Sequence, residues 1–234
     1  MTTREDIMPE APSAEQQKLM ADMVEAIHRE IEPLQPASTY PARRRYFDPP
    51  PKDFNTDFLF GLGRDKYWAK YGYVLLSKEC VEALADLLRG KSVLDVGSGG
   101  GFLSHALAAQ GVSTVALEVF PPGLEPTEQD WRTFWKVDLV EDVRKVDVTA
   151  YDALILSWPE HGSPLAFEVA SAMKSGQMLV YQGEIGGCTA DDNFFEYLRN
   201  EAWEHLEIES AALNKDHVQF HGINDAWYVF KKLS

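Results

Sequence analysis

Residues 92–109, SVLDVGSGGGFLSHALAA, decide how the rest of the chain is read. Ser92 to Val96 reads as a short apolar strand, Gly97 to Gly101 as a glycine-rich turn, and Phe102 to Ala109 as a helix. Asp95, Gly97, Gly99 and Gly101 form a DxGxGxG pattern in which the glycines let the backbone turn sharply and approach a ligand closely. A helix starting at Phe102 directs free N–H groups and partial positive charge into the same crevice. Gly111 then stops that helix, and Val112 to Val119 supplies a second apolar strand.

Working outward, further strands fit Thr133 to Leu139, Ala153 to Ser157 and Gln177 to Tyr181, with a helix at Pro164 to Met173 between the last two. A helix at Asp191 to Ala202 precedes two final strands, Leu206 to Ala211 and Ala226 to Phe230. Such alternation predicts an α/β fold: a mostly parallel sheet with helices on both faces. Asn214 to Asn224 has no helix-length pattern, so the last strand is expected to return antiparallel. Upstream, a helical stripe at Ser77 to Leu88, a Pro-rich arm from Pro33 to Asp57 and a helix from Ser13 to Ile31 suit an N-terminal helical cap. The expected division is an arm and cap over residues 1–90 and a single α/β domain over 91–234, with the N-terminal region a candidate surface for a homodimer.

The chain has 234 residues, 45% hydrophobic and 25% charged, as an ordinary globular protein does. Acidic residues outnumber basic ones 37 to 22. That surplus repels phosphate backbones, which makes nucleic acid an unfavoured partner and excludes no acidic or neutral small molecule; a small-molecule substrate is the expectation, with a protein substrate second. Cys80 and Cys188 are the only cysteines and form no CxxC pair, which favours a reducing, cytoplasmic setting. No apolar leader is seen at the N-terminus, and no run reaches the about 18 apolar residues of a membrane span.

Glu118 follows Asp95 by 23 positions, near the end of the second strand. A carboxylate there can accept hydrogen bonds from both hydroxyls of a ribose. Competing nucleotide motifs fail on spacing: the third glycine of a dinucleotide GxGxxG starting at Gly97 falls on Phe102, and the GKS triplet at Gly90 to Ser92 has Ala85 where a P-loop needs glycine. An NAD-binding oxidoreductase is therefore a lower alternative. His217 and His221 lack the HExxH pattern, no GxSxG elbow exists, and no metal site is expected.

Val93 to Gly101, VLDVGSGGG, followed by Glu118, resembles the first motif and ribose acid of the class I S-adenosylmethionine-dependent methyltransferases, over roughly Ser92 to Leu233. The resemblance implies seven strands in the order 3-2-1-4-5-7-6 and S-adenosylmethionine as cofactor. It places Asp95 near the cofactor's amino group, Gly97, Ser98, Gly99 and Gly101 along its methionine and ribose portion, and Glu118 at the ribose. Asp138, beside Leu139, matches the acid that meets the adenine amino group, and Ser157 ends the fourth strand near the transferred methyl. The sequence Ser157-Trp158-Pro159-Glu160 is not the Asn-Pro-Pro-Tyr type used for amino methylation of nucleic acids. Prolines at 121, 122 and 126 argue against the family's helix after the second strand. Glu160 and His161 follow the fourth strand and are the candidate bases. These departures keep open a catalytically inactive relative that binds a sulfur nucleoside and acts through a partner.

Overall fold

Strand β1 (Ser92–Val96) buries every residue but its first and lies mid-sheet. It pairs in parallel with β2 (Ser113–Val119) on one side and β4 (Ala153–Ser157) on the other. The computed structural model describes residues 68, 71–119, 136–140, 142–219 and 223–234, together with 13–15, 17–18 and 21–22. The described residues among 13–22 other than Ser13 are helical. The Pro-rich arm, the arginines at 43–45, residues 120–130 and the aromatics Trp131, Phe134 and Trp135 lie outside the described residues.

With β3 (Val137–Val140), β5 (Met178–Gly183), β6 (Trp203–His205) and β7 (Ala226–Lys232), the sheet has seven strands ordered β3-β2-β1-β4-β5-β7-β6. The first five pair in parallel, and β7 runs antiparallel to both β5 and β6. Among the described residues it is flanked by α1 (Lys78–Leu88), α2 (Phe102–Ala109), α3 (Leu165–Ala172), α4 (Asp192–Leu198) and α5 (Glu207–Lys215). Two apolar cores result. Cys80, Leu84 and Leu88 of α1 pack with Leu103 and Leu107 of α2 and Leu213 of α5 on one face, and Ala166 and Val169 of α3 pack with Phe194 and Leu198 of α4 on the other.

Helix α1 begins because Ser77 caps it, its Oγ accepting from Cys80 N at 3.0 Å. Although it precedes residue 90, it shares one core with β1 and its neighbours. Burial pushes the Cys80 thiol up to about 12, so it behaves as a small apolar side chain.

The strand expected at Leu206 to Ala211 is instead the start of α5, and the sixth strand is the preceding Trp203–His205. Leu206 and Ile208 mimic strand alternation, but Ile208 is 83% exposed while Ser210 and Leu213 are buried. That is helical spacing of the inward residues. Ser210 completes the turn by donating from Oγ to Leu206 O at 2.8 Å.

Helix α2 leaves β1 toward one core and α3 leaves β4 toward the other. The crossovers diverge at the carboxyl ends of β1 and β4, where an open α/β sheet leaves a crevice. No helix among the described residues is long and apolar enough to cross a membrane.

Leu154, the second residue of β4, is wholly buried. Leu154→Ala is expected to lower stability by about 3 kcal/mol, seen as a lower urea midpoint at unchanged slope. A loss well under about 1 kcal/mol would mean that the core closes over the cavity instead of holding its shape.

Candidate functional site

The glycine turn is folded back on β2 before any side chain is considered. Gly97 N and Ser98 N both donate to Leu117 O, at 2.9 and 3.0 Å, and Gly101 N donates to Ser98 O at 3.0 Å. Gly97, Gly99 and Gly101 have φ of 70°, 56° and 74°, the left-handed region that a side chain disfavours. A Cβ built on Gly99 would meet nothing within 4 Å, so it would project into open space.

Opposite the turn stands Glu118. Its Oε2 accepts from Gly99 N at 2.6 Å and its Oε1 from Val119 N at 2.9 Å. Each oxygen keeps a further lone-pair direction for a ligand. Burial raises the Glu118 carboxyl above its ordinary range, against the two backbone N–H groups that lower it. Glutamine at 118 would turn its amide nitrogen toward one of those donors, so that exchange disturbs the turn as well as the charge.

Asp95, 1% exposed, sits beneath. Its Oδ2 accepts from Ser104 Oγ at 2.7 Å, while Oδ1 has no partner among the described residues. Ser98 Oγ is likewise buried and unpartnered. Burial pushes Asp95 up to about 7; the Ser104 hydrogen bond opposes this and the Glu118 charge adds to it.

These groups line a cavity of about 470 Å³, together with Ser157, Trp158, Pro159 and Glu160 from the end of β4 and Trp68, Tyr71 and Tyr73 from the segment before α1. Tyr73 stacks on Trp158 at 5.6 Å and 17°, and Trp68 lies 4.7 Å from Tyr73 and 5.9 Å from Trp158. A larger cavity, about 690 Å³, opens at the other end of the sheet among Lys91, Asp152, Lys174 and Lys231, away from the turn.

The structure thus brings Asp95, Gly97, Ser98, Gly99, Glu118, Ser157 and Glu160 to one cavity, with Gly101 ending the turn as the cap of α2. His161 is exposed and does not line it. Asp138 is half exposed, 3.6 Å from Lys136 Nζ, and is not among the lining residues. Leu139 stands opposite Glu118 in the β2–β3 register. Among the described residues no cluster of three or more His, Cys, Asp or Glu is placed to hold a metal.

Sequence reading misses two features. Trp158 is a wall of the cavity, and behind it Gln182, Asp225 and His217 form a buried polar network. No local motif marks either.

No protein-family model matches the chain. The ubiquinone biosynthesis O-methyltransferase of Neisseria meningitidis serogroup C is 29% identical over 134 residues, 53% of this chain and 52% of that protein. The chain therefore spans about half the length of the curated relative it matches. Among solved structures, a Bacillus subtilis tRNA methyltransferase is 16% identical over 68% of this chain and 67% of its own, with a TM-score of 0.42. A TehB-like SAM-dependent methyltransferase from Corynebacterium glutamicum is 20% identical over 65% of this chain and 87% of its own, with a TM-score of 0.38.

Because the Asp95 carboxyl is raised from 3.8 to about 7, the folded state holds a proton that the unfolded state has released, and stability falls as pH climbs through that window. Asp95→Asn removes the titration. Its stability gain over wild type is expected to grow between about pH 4 and pH 7 and then level off, measured by urea unfolding across pH. A gain independent of pH would show that Asp95 titrates normally.

Proposed function

We propose that this chain, whose sheet has the class I methyltransferase-like topology, binds S-adenosylmethionine across the ends of β1 and β2 and passes its methyl group to a small-molecule acceptor. The observation that carries the reading is Glu118 lying across a left-handed glycine turn, above a buried Asp95 with an unpartnered oxygen. The orphaned Asp95 Oδ1 and Ser98 Oγ fit a polar ligand that this lining alone does not satisfy.

When bound, S-adenosylmethionine supplies an electrophilic methyl on a positively charged sulfur. Gly97, Gly99 and Gly101 leave room for its close approach, and the remaining lone pairs of Glu118 take the ribose hydroxyls. Asp95 offers negative charge to the cationic part of the ligand. Trp68, Tyr73 and Trp158 wall the acceptor side. Methyl transfer is an in-line displacement in which alignment is the main requirement. Glu160, which lines the cavity, is the first candidate to take a proton from the acceptor, and His161 the second. A protein acceptor is a subordinate choice. Cys80 and Cys188, both free, suit a reducing cytoplasm.

A binding-only protein is the second reading, favoured by the exposure of both Glu160 and His161. An NAD enzyme stands below both, since buried Phe102 occupies the position of the third glycine.

Calorimetry with S-adenosylmethionine, S-adenosylhomocysteine and NAD is expected to show saturable binding of the sulfur nucleosides and none of NAD. Labelled methyl from S-adenosylmethionine is expected to enter a small-molecule fraction of cell extract. Stronger binding of NAD would reverse the assignment, and binding without transfer across diverse extracts would favour the second reading.

Gly99→Val places a branched side chain in the ligand's space and on a disfavoured φ. It is expected to weaken S-adenosylhomocysteine at least about tenfold while the protein still unfolds cooperatively. Unchanged affinity in a folded variant would move the ligand away from this turn.

A further inference from the structure

Trp158 holds a left-handed backbone, φ 51°. For a bulky side chain that conformation is disfavoured and persists only where its surroundings fix it. Here they do so from three directions. The backbone N–H donates to Gln182 O at 2.8 Å, the indole Nε1–H donates to Asp225 Oδ2 at 3.0 Å, and the ring stacks on Tyr73. Gln182, wholly buried, joins the two sides: its Oε1 accepts from Ser157 Oγ at 3.1 Å and its Nε2 donates to the same Asp225 oxygen.

Asp225 precedes β7 and is 3% exposed. Its other oxygen lies 3.0 Å from His217 Nε2. An indole nitrogen only donates, so Trp227 Nε1, 3.2 Å from His217 Nδ1, makes that nitrogen the acceptor and leaves the ring proton on Nε2, facing Asp225. One carboxylate thus gathers three donors, from the residue after β4, from β5 and from the segment before β7. The pinned indole forms part of the cavity wall beside Glu160.

We propose that Asp225 is a positioning residue for methyl transfer: acting through Trp158, it fixes the wall against which the acceptor is aligned. The inference rests on the methyl-transfer reading above. Its physical basis is that an in-line displacement depends on alignment, so a wall displaced by about 1 Å can cost about a hundredfold in rate. Asp225 makes no hydrogen bond to the glycine turn or to Glu118. Loss of the anchor should therefore reach the acceptor side and spare the nucleoside side.

Asp225→Asn leaves one acceptor oxygen for three donors and points an amide nitrogen at one of them. Trp158→Phe keeps a ring but deletes the anchored N–H. His217→Leu removes the support behind Asp225, while His217→Gln can still donate to Asp225 and accept from Trp227. The second and third variants keep the question open to test if Asp225→Asn does not fold.

Each full-length variant is checked for cooperative thermal unfolding, for S-adenosylhomocysteine affinity by calorimetry, and for the initial rate of label transfer into extract at varied S-adenosylmethionine. The expected result for Asp225→Asn and Trp158→Phe is a rate lowered at least about 30-fold, with affinity and the donor KM within about threefold of wild type. His217→Gln is expected to recover most of the rate that His217→Leu loses.

Parallel loss of affinity and rate would assign Asp225 a general structural role and overturn the inference, as would an unchanged rate. Wild-type protein that binds S-adenosylhomocysteine but transfers no label overturns the inference alone. Wild-type protein that binds none removes the nucleoside reading and this inference with it.

Discussion

The register of β1 against β2 is the constraint on which the site depends. Val96 stands opposite Leu117, so the chain leaving β1 meets the Leu117 carbonyl with two successive N–H groups and Glu118 with a third. A slip of one residue would turn Glu118 to the other face of the sheet and leave those N–H groups without these acceptors. The same pairing buries Asp95 and Glu118 near enough for the Glu118 charge to raise the Asp95 carboxyl. Burial therefore works against ionising either acid, and a positively charged ligand would relieve both.

The divergence of α2 and α3 gives this pair of acids a crevice to face. Each helix is held by its own core, so the two crossovers can differ in detail without closing the gap between them. The opposite wall comes from farther along the chain. Strand β7 inserts antiparallel beside β5 with Gln182 opposite Trp227, which brings Asp225 to the end of β4. The aromatic segment before α1 lines the same cavity, with Tyr73 against Trp158.

What could be read from sequence divides along the same line. The bounds of β1 and α2 are legible because apolar runs and glycines fix them locally, and Glu118 because a parallel neighbour must end beside the turn. Helix α5 is misread since Leu206 and Ile208 alternate as a strand would, whereas the residues that decide its packing, Ser210 and Leu213, include a serine that no apolar pattern reveals. Trp158 and Asp225 are 67 positions apart, and only the β5–β7 register joins them. His217 attracts notice as a failed metal motif, although its actual partner is a carboxylate eight residues on. Contacts created by non-local strand pairing leave no periodic trace in the chain.

A crystal of the full chain soaked with S-adenosylhomocysteine tests the central claim most directly. The account predicts density over Gly97 to Gly101, with the ribose hydroxyls on Glu118 and the sulfur toward Trp158. A nucleoside bound elsewhere, or the same crevice filled by the protein's own side chains, would contradict it.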